Sequence, residues 1–264
     1  MSSSNPVIAA ADALSAAAAS GTPCAPVKDG IAVLGIEGAY AVQSELTRRA
    51  IVGARTLVGR KIGLTSKAVQ TQLGVDQPDY GMLFADMEIA DHEIIPLSRF
   101  LQPRVEAEIA FVLDRDLDDA EITLGKLIPA IAFALPAIEI VDSRIADWKI
   151  SILDTIADNA SSGAYVLGGS PAKIGDLDLR LCGMSMELKG EPVSIGCGAA
   201  CLGNPLNAAL WLARRMAALG SPLKAGDVVL SGALGPMIPV TPGANYTARI
   251  NGLGAVTAHF GEKA

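Results

Sequence analysis

The chain has 264 residues, of which 50% are hydrophobic and 19% charged, so it can bury a substantial core. Its 21 basic and 28 acidic residues give a formal net charge of −7 without a basic block, which excludes a nucleic-acid partner because phosphate binding needs concentrated positive charge. No apolar run reaches the roughly 18 residues that span a bilayer, so we expect no membrane partner. Four cysteines without a CxxC pair favour reduced thiols and a cytoplasmic location.

The N-terminal part of the sequence has helical periodicity. The alanine-rich stretch Val7–Ala19 predicts a short amphipathic helix rather than a signal peptide, since no Lys or Arg precedes it and Asp12 interrupts the apolar run. Apolar residues at helical spacing predict a second helix over Ile36–Ala54. We therefore expect a helical N-terminal portion over residues 1–75 and a β-rich catalytic core over residues 76–264.

Strand patterns dominate the remainder, with two predicted helices between them. A helix over Lys126–Leu135 is expected to end at Pro136, and another begins at Asn204-Pro205 and ends before Gly220. The predicted strands are Glu106–Leu113, Ala137–Val141, Asp227–Leu230, Met237–Thr241, Tyr246–Ile250 and Ala255–Phe260. The pattern is that of an α+β protein.

The strand candidate Glu106–Leu113 carries two carboxylates on one face, because side chains alternate sides along a strand. Glu106 and Glu108 would repel each other on a largely apolar strand, and a bound Mg²⁺ or Mn²⁺ would relieve that repulsion. Glu139 is a third acid inside an apolar strand. The alternative interpretation is an exposed edge strand that carries two solvated glutamates.

Three further features have both a functional and a plain structural interpretation. Lys61, flanked by glycines, is either a partly buried proton-transfer or carboxylate-binding group or a surface lysine. Asp79, in Pro78-Asp79-Tyr80-Gly81, is expected on a turn. The polar stretch Asp154–Gly163 is either an anion-binding loop or an ordinary capped turn. Asp142 and Arg144 form either an ion pair that supports Glu139 or a surface salt bridge.

Seven segments, in this order, carry a likeness to a known family. They are Lys61–Lys67, Pro78–Phe84, Glu106–Glu108, Ile138–Arg144, Asp154–Gly163, Leu202–Ala209 and Ser231–Met237. Together they resemble the fumarylacetoacetate hydrolase superfamily, specifically its 2-oxopent-4-enoate hydratase branch. The resemblance covers nearly the whole chain beyond about the first 30 residues.

The resemblance implies a core of mixed, rolled β-sheet and a set of site residues. It places a Mg²⁺ or Mn²⁺ ion at Glu106, Glu108 and Glu139, and it places Lys61 and Asp79 beside the substrate as catalytic groups. Substrate-binding positions are implied at Leu83, Ser161 and Ser162. A homo-oligomer, pentamer-based or larger, is implied as well, with a related pathway decarboxylase or aldolase as a further partner.

The reaction implied by the resemblance is hydration of a small 2-oxo acid, 2-hydroxypenta-2,4-dienoate, to 4-hydroxy-2-oxopentanoate in aromatic-compound catabolism. Alternatives are a 4-oxalocrotonate-type decarboxylase of the same superfamily, a hydratase of a longer 2-oxo-alkenoate, and a non-catalytic partner subunit. The chain has only two histidines, His92 and His259, and neither lies in a matching segment, which disfavours a C–C bond hydrolase. The tail Ser231–Met237 resembles that of the hydratases.

Overall fold

The structure is a computed structural model that describes residues 5–262, with the backbone alone described at 68, 72 and 73. Its helices are α1 (Pro6–Ser20), α2 (Lys28–Ile31), α3 (Gly35–Val52), α4 (Lys67–Leu73), α5 (Leu124–Leu127), α6 (Ile152–Ala157) and α7 (Pro205–Ala218). Its strands are β1 (Leu57–Gly63), β2 (Asp79–Phe84), β3 (Glu88–Ile89), β4 (Ile94–Ile95), β5 (Arg104–Leu113), β6 (Ile131–Val141), β7 (Ser162–Leu167), β8 (Gly183–Leu188), β9 (Glu191–Cys197), β10 (Val228–Leu230), β11 (Ile238–Pro239), β12 (Asn245–Ile250) and β13 (Gly254–Phe260).

The N-terminal helices form their own small apolar cluster. Helix α1 begins with the Asn5 side chain accepting a hydrogen bond from Val7 N–H, and Gly21 ends it in the left-handed conformation. Helices α1, α3 and α6 pack through buried residues such as Leu14, Val42 and Ile156. Both helices predicted for this part of the chain are confirmed.

A mixed eight-stranded sheet, in the order β2-β1-β10-β5-β6-β7-β3 with β11 beside β5, forms the centre of the molecule. Strands β1 and β10 run parallel, as do β3 and β7, whereas β5 is antiparallel to β6 and β10. Strand β1 belongs to this sheet although it lies within residues 1–75. The division of the chain at residue 75 stays a prediction.

The two faces of the large sheet have different roles. The face that carries Val105, Ile109 and Ile138 packs against a second, five-stranded sheet (β4-β13-β12-β8-β9) and helix α7 in the main core. The opposite face of β5 carries Glu106, Glu108 and Ala110. Both acids of the strand therefore lie on one face, and the other face is apolar. The α+β class and the mixed sheet are confirmed.

The helix predicted over Lys126–Leu135 is wrong from Ile131 onward. Helix α5 and a following 3-10 turn, Ile128–Ala130, form its first half, but residues from Ile131 belong to β6, which continues through Pro136. Pro136 is tolerated because it lies opposite Ile109, whose backbone N–H and C=O bond to Ser231 instead of to β6. A short apolar run carries no periodicity that separates a buried strand from a buried helix.

The C-terminal predictions agree with the structure. Asn204 caps α7 by accepting a hydrogen bond from Leu206 N–H, Pro205 is the first helical residue, and Gly220 follows with a φ of 68°. The four predicted tail strands correspond to β10–β13. Within residues 5–262, no helix is both long and apolar enough to cross a membrane.

Candidate active site and metal centre

Three glutamates converge on one face of the β5–β6 pair. Glu106 and Glu139 lie directly opposite each other in the antiparallel register, and Glu108 follows two residues along β5 on the same side. One carboxylate oxygen from each lies within 4.8 Å of the others. Glu108 and Glu139 are fully buried and Glu106 is half-buried, so the interpretation as an exposed edge strand is wrong.

The acidic cluster is incompletely satisfied by the protein. Glu108 Oε2 accepts a hydrogen bond from Gly232 N–H at 2.8 Å, but Glu108 Oε1 and both oxygens of Glu139 have no hydrogen bond from any described residue. Burial raises the pKa of Glu106 to about 7, and burial also raises the pKa of Glu108 and Glu139. Three convergent carboxylates, with unpartnered buried oxygens on Glu108 and Glu139, fit a hard divalent cation, which compensates both desolvation and mutual repulsion.

Lys61 is the buried cation of the site. It is 3% exposed on β1, so the interpretation as a surface lysine is wrong. Its ammonium donates a hydrogen bond to Ala160 C=O at 2.9 Å and lies 3.3 Å from Glu139 Oε1. Burial alone would lower the pKa of Lys61, but the surrounding carboxylates, Glu139 foremost, raise it above its ordinary value. The side chain therefore carries a positive charge next to the acidic cluster.

Asp79 lies beside Lys61 as the first residue of β2, so the expected turn at this position is wrong. It faces Gly63 across the β1–β2 pair, and a Cβ at Gly63 would lie 2.1 Å from Asp79 Oδ1 and 3.4 Å from Lys61 Nζ. Burial raises the pKa of Asp79, with Lys61 opposing the shift. A residue without a side chain at position 63 thus lets the carboxyl and the ammonium share one small space.

The predicted serine segment forms a left-handed turn. Asn159, Ala160 and Ser161 have φ values of 55°, 52° and 54°, a run that non-glycine residues rarely adopt. Ser161 and Ser162 are both buried, and their hydroxyl groups have no hydrogen-bond partner among the described residues. Arg144 pairs with Asp158 behind this turn rather than with Asp142, so the expected pair of Asp142 and Arg144 is wrong.

A cavity of about 650 Å³ opens onto these groups. Lys61, Asp79, Glu106 and Ser161 line it, so four predicted site residues share one space. Glu108 and Glu139 adjoin it from the interior of the sheet, whereas Ser162 lies on the other side of the turn and Leu83 packs in an apolar cluster with Phe84 and Met87. The structure brings together the acids, the lysine and one serine, but not Leu83.

Sequence patterns did not assign a role to several residues that shape the site. Trp148 forms part of the cavity wall. Asn159 bonds to both backbone groups of Met82. Gly63 and Gly81 are places where another chain segment comes too close for a side chain. A glycine within an apolar strand was the one available signal, since it often marks a close backbone approach.

Comparison with known proteins is consistent with this arrangement. The model of the fumarylacetoacetate (FAA) hydrolase C-terminal family matches residues 57–260, which is most of the chain and all of the site described above. The chain belongs to this family. The FAA hydrolase match begins at β1 and ends at β13, so both sheets lie within it.

Several similar proteins match nearly the full length of this chain. The TodF product hydratase of Pseudomonas putida is 62% identical over 251 residues, 95% of this chain and 94% of that protein. The 2-keto-4-pentenoate hydratase of Paraburkholderia xenovorans is 56% identical over 251 residues, 95% of this chain and 93% of that protein. The structure of 4-oxalocrotonate decarboxylase from Pseudomonas putida G7, complexed with magnesium and adipate, matches with a TM-score of 0.92 at 37% identity over 96% of this chain and 97% of that one.

Cation binding to the acidic cluster should weaken as the pH falls. Because burial raises the pKa of Glu106 to about 7, the metal-free site holds protons below that pH, and a cation must displace them. In a series from pH 8 to pH 6, the association constant for Mn²⁺ is expected to fall mainly below pH 7, approaching about tenfold per pH unit for each proton released. Isothermal titration calorimetry in buffers of different ionisation enthalpy measures both the association constant and the number of protons released. A pH-independent constant without proton release would contradict this assignment.

Substitution Gly63→Ala should impair the site without disturbing cation binding. The added Cβ would meet Asp79 Oδ1 at 2.1 Å, so the carboxyl must move away from Lys61. A displacement of this size is expected to lower turnover about 100-fold. The control is Gly30→Ala, where a Cβ meets nothing within 4 Å. Steady-state kinetics and Mn²⁺ titration are measured on both, and unchanged turnover in Gly63→Ala would show that the Asp79 position does not matter.

Proposed function

We propose that this member of the FAA hydrolase family is a metal-dependent hydratase that adds water to 2-hydroxypenta-2,4-dienoate, a tautomer of 2-oxopent-4-enoate, and forms 4-hydroxy-2-oxopentanoate. The observation that carries the proposal is a single cavity that unites Lys61 and Asp79 with a cluster of three buried or half-buried glutamates. Relatives named as hydratases, at 56% and 62% identity over nearly the whole chain, support the same reaction.

Glu106, Glu108 and Glu139 would hold the divalent cation, and we propose Mg²⁺ or Mn²⁺ because carboxylate oxygens are the ligands these hard ions prefer. When bound, the cation supplies Lewis-acid polarisation of the 2-oxo group of the substrate. Three protein ligands leave room for a bidentate 2-oxo acid. The protein contributes the fixed position of the carboxylates, since each lies on a paired strand in the middle of the sheet.

Lys61 and Asp79 are the proposed catalytic residues. Lys61 stays cationic among the carboxylates, which suits it to hold negative charge that develops on the substrate. Asp79 has a raised pKa and lies on the same cavity wall, so it is suited to exchange a proton with the substrate carbon chain or with the attacking water. Protonation of the dienol at C5 gives an enone, and water then adds at C4.

Ser161 is the proposed contact for the substrate carboxylate. Its hydroxyl group is buried at the cavity wall and has no hydrogen-bond partner among the described residues, so a donor is available there. Ser162 and Leu83 do not line the cavity. The proposed contribution of Ser162 is to the packing behind the turn, and that of Leu83, on β2, is to the apolar cluster it forms with Phe84 and Met87.

The remainder of the cavity favours a substrate with one carboxylate. Among the described lining residues, Lys61, Asp79 and Glu106 are the charged ones, and all three belong to the catalytic end. The walls farther out are mainly apolar and include Trp148 and Met237. A second carboxylate, as in 4-oxalocrotonate, would be desolvated there without a counter-ion. This disfavours decarboxylation of a dicarboxylate.

The proposal is tested with purified protein, Mg²⁺ and two substrates in parallel. Freshly generated 2-hydroxypenta-2,4-dienoate is expected to lose its dienol absorbance and to yield 4-hydroxy-2-oxopentanoate, whereas 4-oxalocrotonate should release no CO₂. Product identity is established by NMR spectroscopy. Release of CO₂ from 4-oxalocrotonate, with no hydration of the dienoate, would assign the decarboxylase reaction instead.

We also propose a cytoplasmic location and a homo-oligomer, pentamer-based or larger. All four cysteines are free, which suits a reducing compartment. Association with a related decarboxylase or aldolase of the same catabolic sequence is compatible with these features. Size-exclusion chromatography with light scattering, on the protein alone and mixed with such an enzyme, measures the number of subunits and the association.

A further inference from the structure

The left-handed turn of residues 159–161 is a part of the site whose backbone conformation is costly, because three successive non-glycine residues have positive φ. Ala160 and Ser161 have no intrinsic preference for positive φ, and three such residues in succession persist only when their surroundings hold them. The carbonyl group of Ala160 accepts the hydrogen bond of Lys61 Nζ at 2.9 Å. The strained segment is therefore in direct contact with the proposed catalytic ammonium.

One side chain connects this turn to the sheet that carries the site. The amide of Asn159 accepts a hydrogen bond from Met82 N–H at 2.7 Å and donates one to Met82 C=O at 3.0 Å, as a neighbouring strand would. Strand β2 also approaches the turn closely, because a Cβ at Gly81 would lie 2.4 Å from Asn159 O. Asn159 thus ties the turn to the strand that carries Asp79.

A second set of contacts supports the turn from behind. The guanidinium of Arg144 donates to the Asp158 carboxylate, to Asp158 C=O and to Ser162 C=O, and Ser161 N–H donates to Asp158 C=O at 2.9 Å. These contacts hold the residues on either side of the turn. Among the described hydrogen bonds, those between the turn and β2 are made by the Asn159 side chain.

We propose that Asn159 is a positioning residue, which holds the left-handed turn against β2 so that Ala160 C=O fixes the Lys61 ammonium beside Asp79. It acts through Lys61 and has no contact with the acidic cluster among the described hydrogen bonds. The inference rests on the proposed hydratase function, because turnover is one of its readouts. Loss of the amide should therefore lower kcat while leaving cation affinity unchanged.

The test is Asn159→Gly, since glycine adopts positive φ freely and keeps the backbone conformation accessible. We expect kcat for dienoate hydration to fall about tenfold or more, with Mn²⁺ affinity within about twofold of wild type and thermal stability preserved. The matched control is Ala54→Gly, which relieves an exposed left-handed residue at the end of α3 and should leave kcat unchanged. A kcat loss without loss of stability separates positioning from a purely structural role.

Crystal structures of the wild type and Asn159→Gly give a readout that does not depend on activity. We expect Lys61 Nζ to leave Ala160 O in the variant; an unmoved ammonium, or wild-type kcat, overturns the inference. A wild type that does not hydrate the dienoate contradicts the proposed function alone, and the Lys61 position still decides the inference.

If Asn159→Gly does not fold, Asn159→Asp replaces it. The aspartate keeps the acceptor for Met82 N–H and loses the donor to Met82 C=O. Wild-type kcat in that variant overturns the inference as well.

Discussion

Replacing Glu106 with glutamine is expected to lower the affinity for Mg²⁺ and Mn²⁺ by about 100-fold or more, because one of the three proposed protein ligands loses its charge. Dienoate hydration at fixed Mg²⁺ should fall by roughly 10³-fold, the equivalent of several kcal/mol of transition-state stabilisation. The isosteric change keeps the size of the side chain, and Glu106 is half-buried, so the fold should remain intact. Calorimetric titration and steady-state kinetics measure both effects.

The matched control for this substitution is Glu191→Gln, at the exposed start of β9. It should leave affinity and turnover unchanged. In EDTA, Glu106→Gln should unfold at the same temperature as wild type or at a higher one, since the substitution removes one of three mutually repelling acids. Full activity of the wild type after treatment with EDTA would contradict the assignment of the cluster.

Replacing Lys61 with methionine is expected to separate catalysis from cation binding. Turnover should fall about 10²- to 10⁴-fold, the range that removal of a positioned acid–base group produces. Cation affinity should rise or stay the same, because a positive charge 3.3 Å from Glu139 Oε1 is removed from the site. The absence of a loss in cation affinity distinguishes Lys61→Met from Glu106→Gln in the same pair of measurements.

Stability gives an independent readout of the same substitution. In metal-free Lys61→Met the fully buried Glu139 loses its ion-pair partner, which should lower the free energy of unfolding by about 3–5 kcal/mol at neutral pH. Added Mg²⁺ should restore most of this loss. The control is Lys126→Met, an exposed ion pair with Asp119 that should contribute little. Equal losses with and without Mg²⁺ would mean that no cation replaces the lysine charge.

The alternation of side chains along β5 was sufficient to predict that Glu106 and Glu108 share a face, because that geometry follows from the strand itself. The position of Glu139 opposite Glu106 depends on the β5–β6 register, which the sequence pattern did not contain. The burial of Lys61 likewise depends on β10 and on Ala160, which is 99 residues away along the chain. Local patterns therefore indicated the two glutamates of β5, the family resemblance implied roles for Lys61 and Asp79, and tertiary pairing decides how these residues meet.

The errors have a common cause. Pro136 was expected to end a helix and Asp79 to lie on a turn, because both residues have strong local preferences. In the structure each lies in a strand, where pairing with a neighbouring strand, which only the tertiary fold supplies, outweighs the local preference. The left-handed turn at 159–161 was not predicted for the same reason, since it opposes the preferences of Ala160 and Ser161.

Anomalous diffraction at the manganese absorption edge, from crystals of this protein soaked in Mn²⁺, tests the metal site most directly. A single strong peak within coordination distance of carboxylate oxygens of Glu106, Glu108 and Glu139 is the result we expect. Well-ordered crystals in which those three side chains bind no manganese, at concentrations that support turnover, would contradict it.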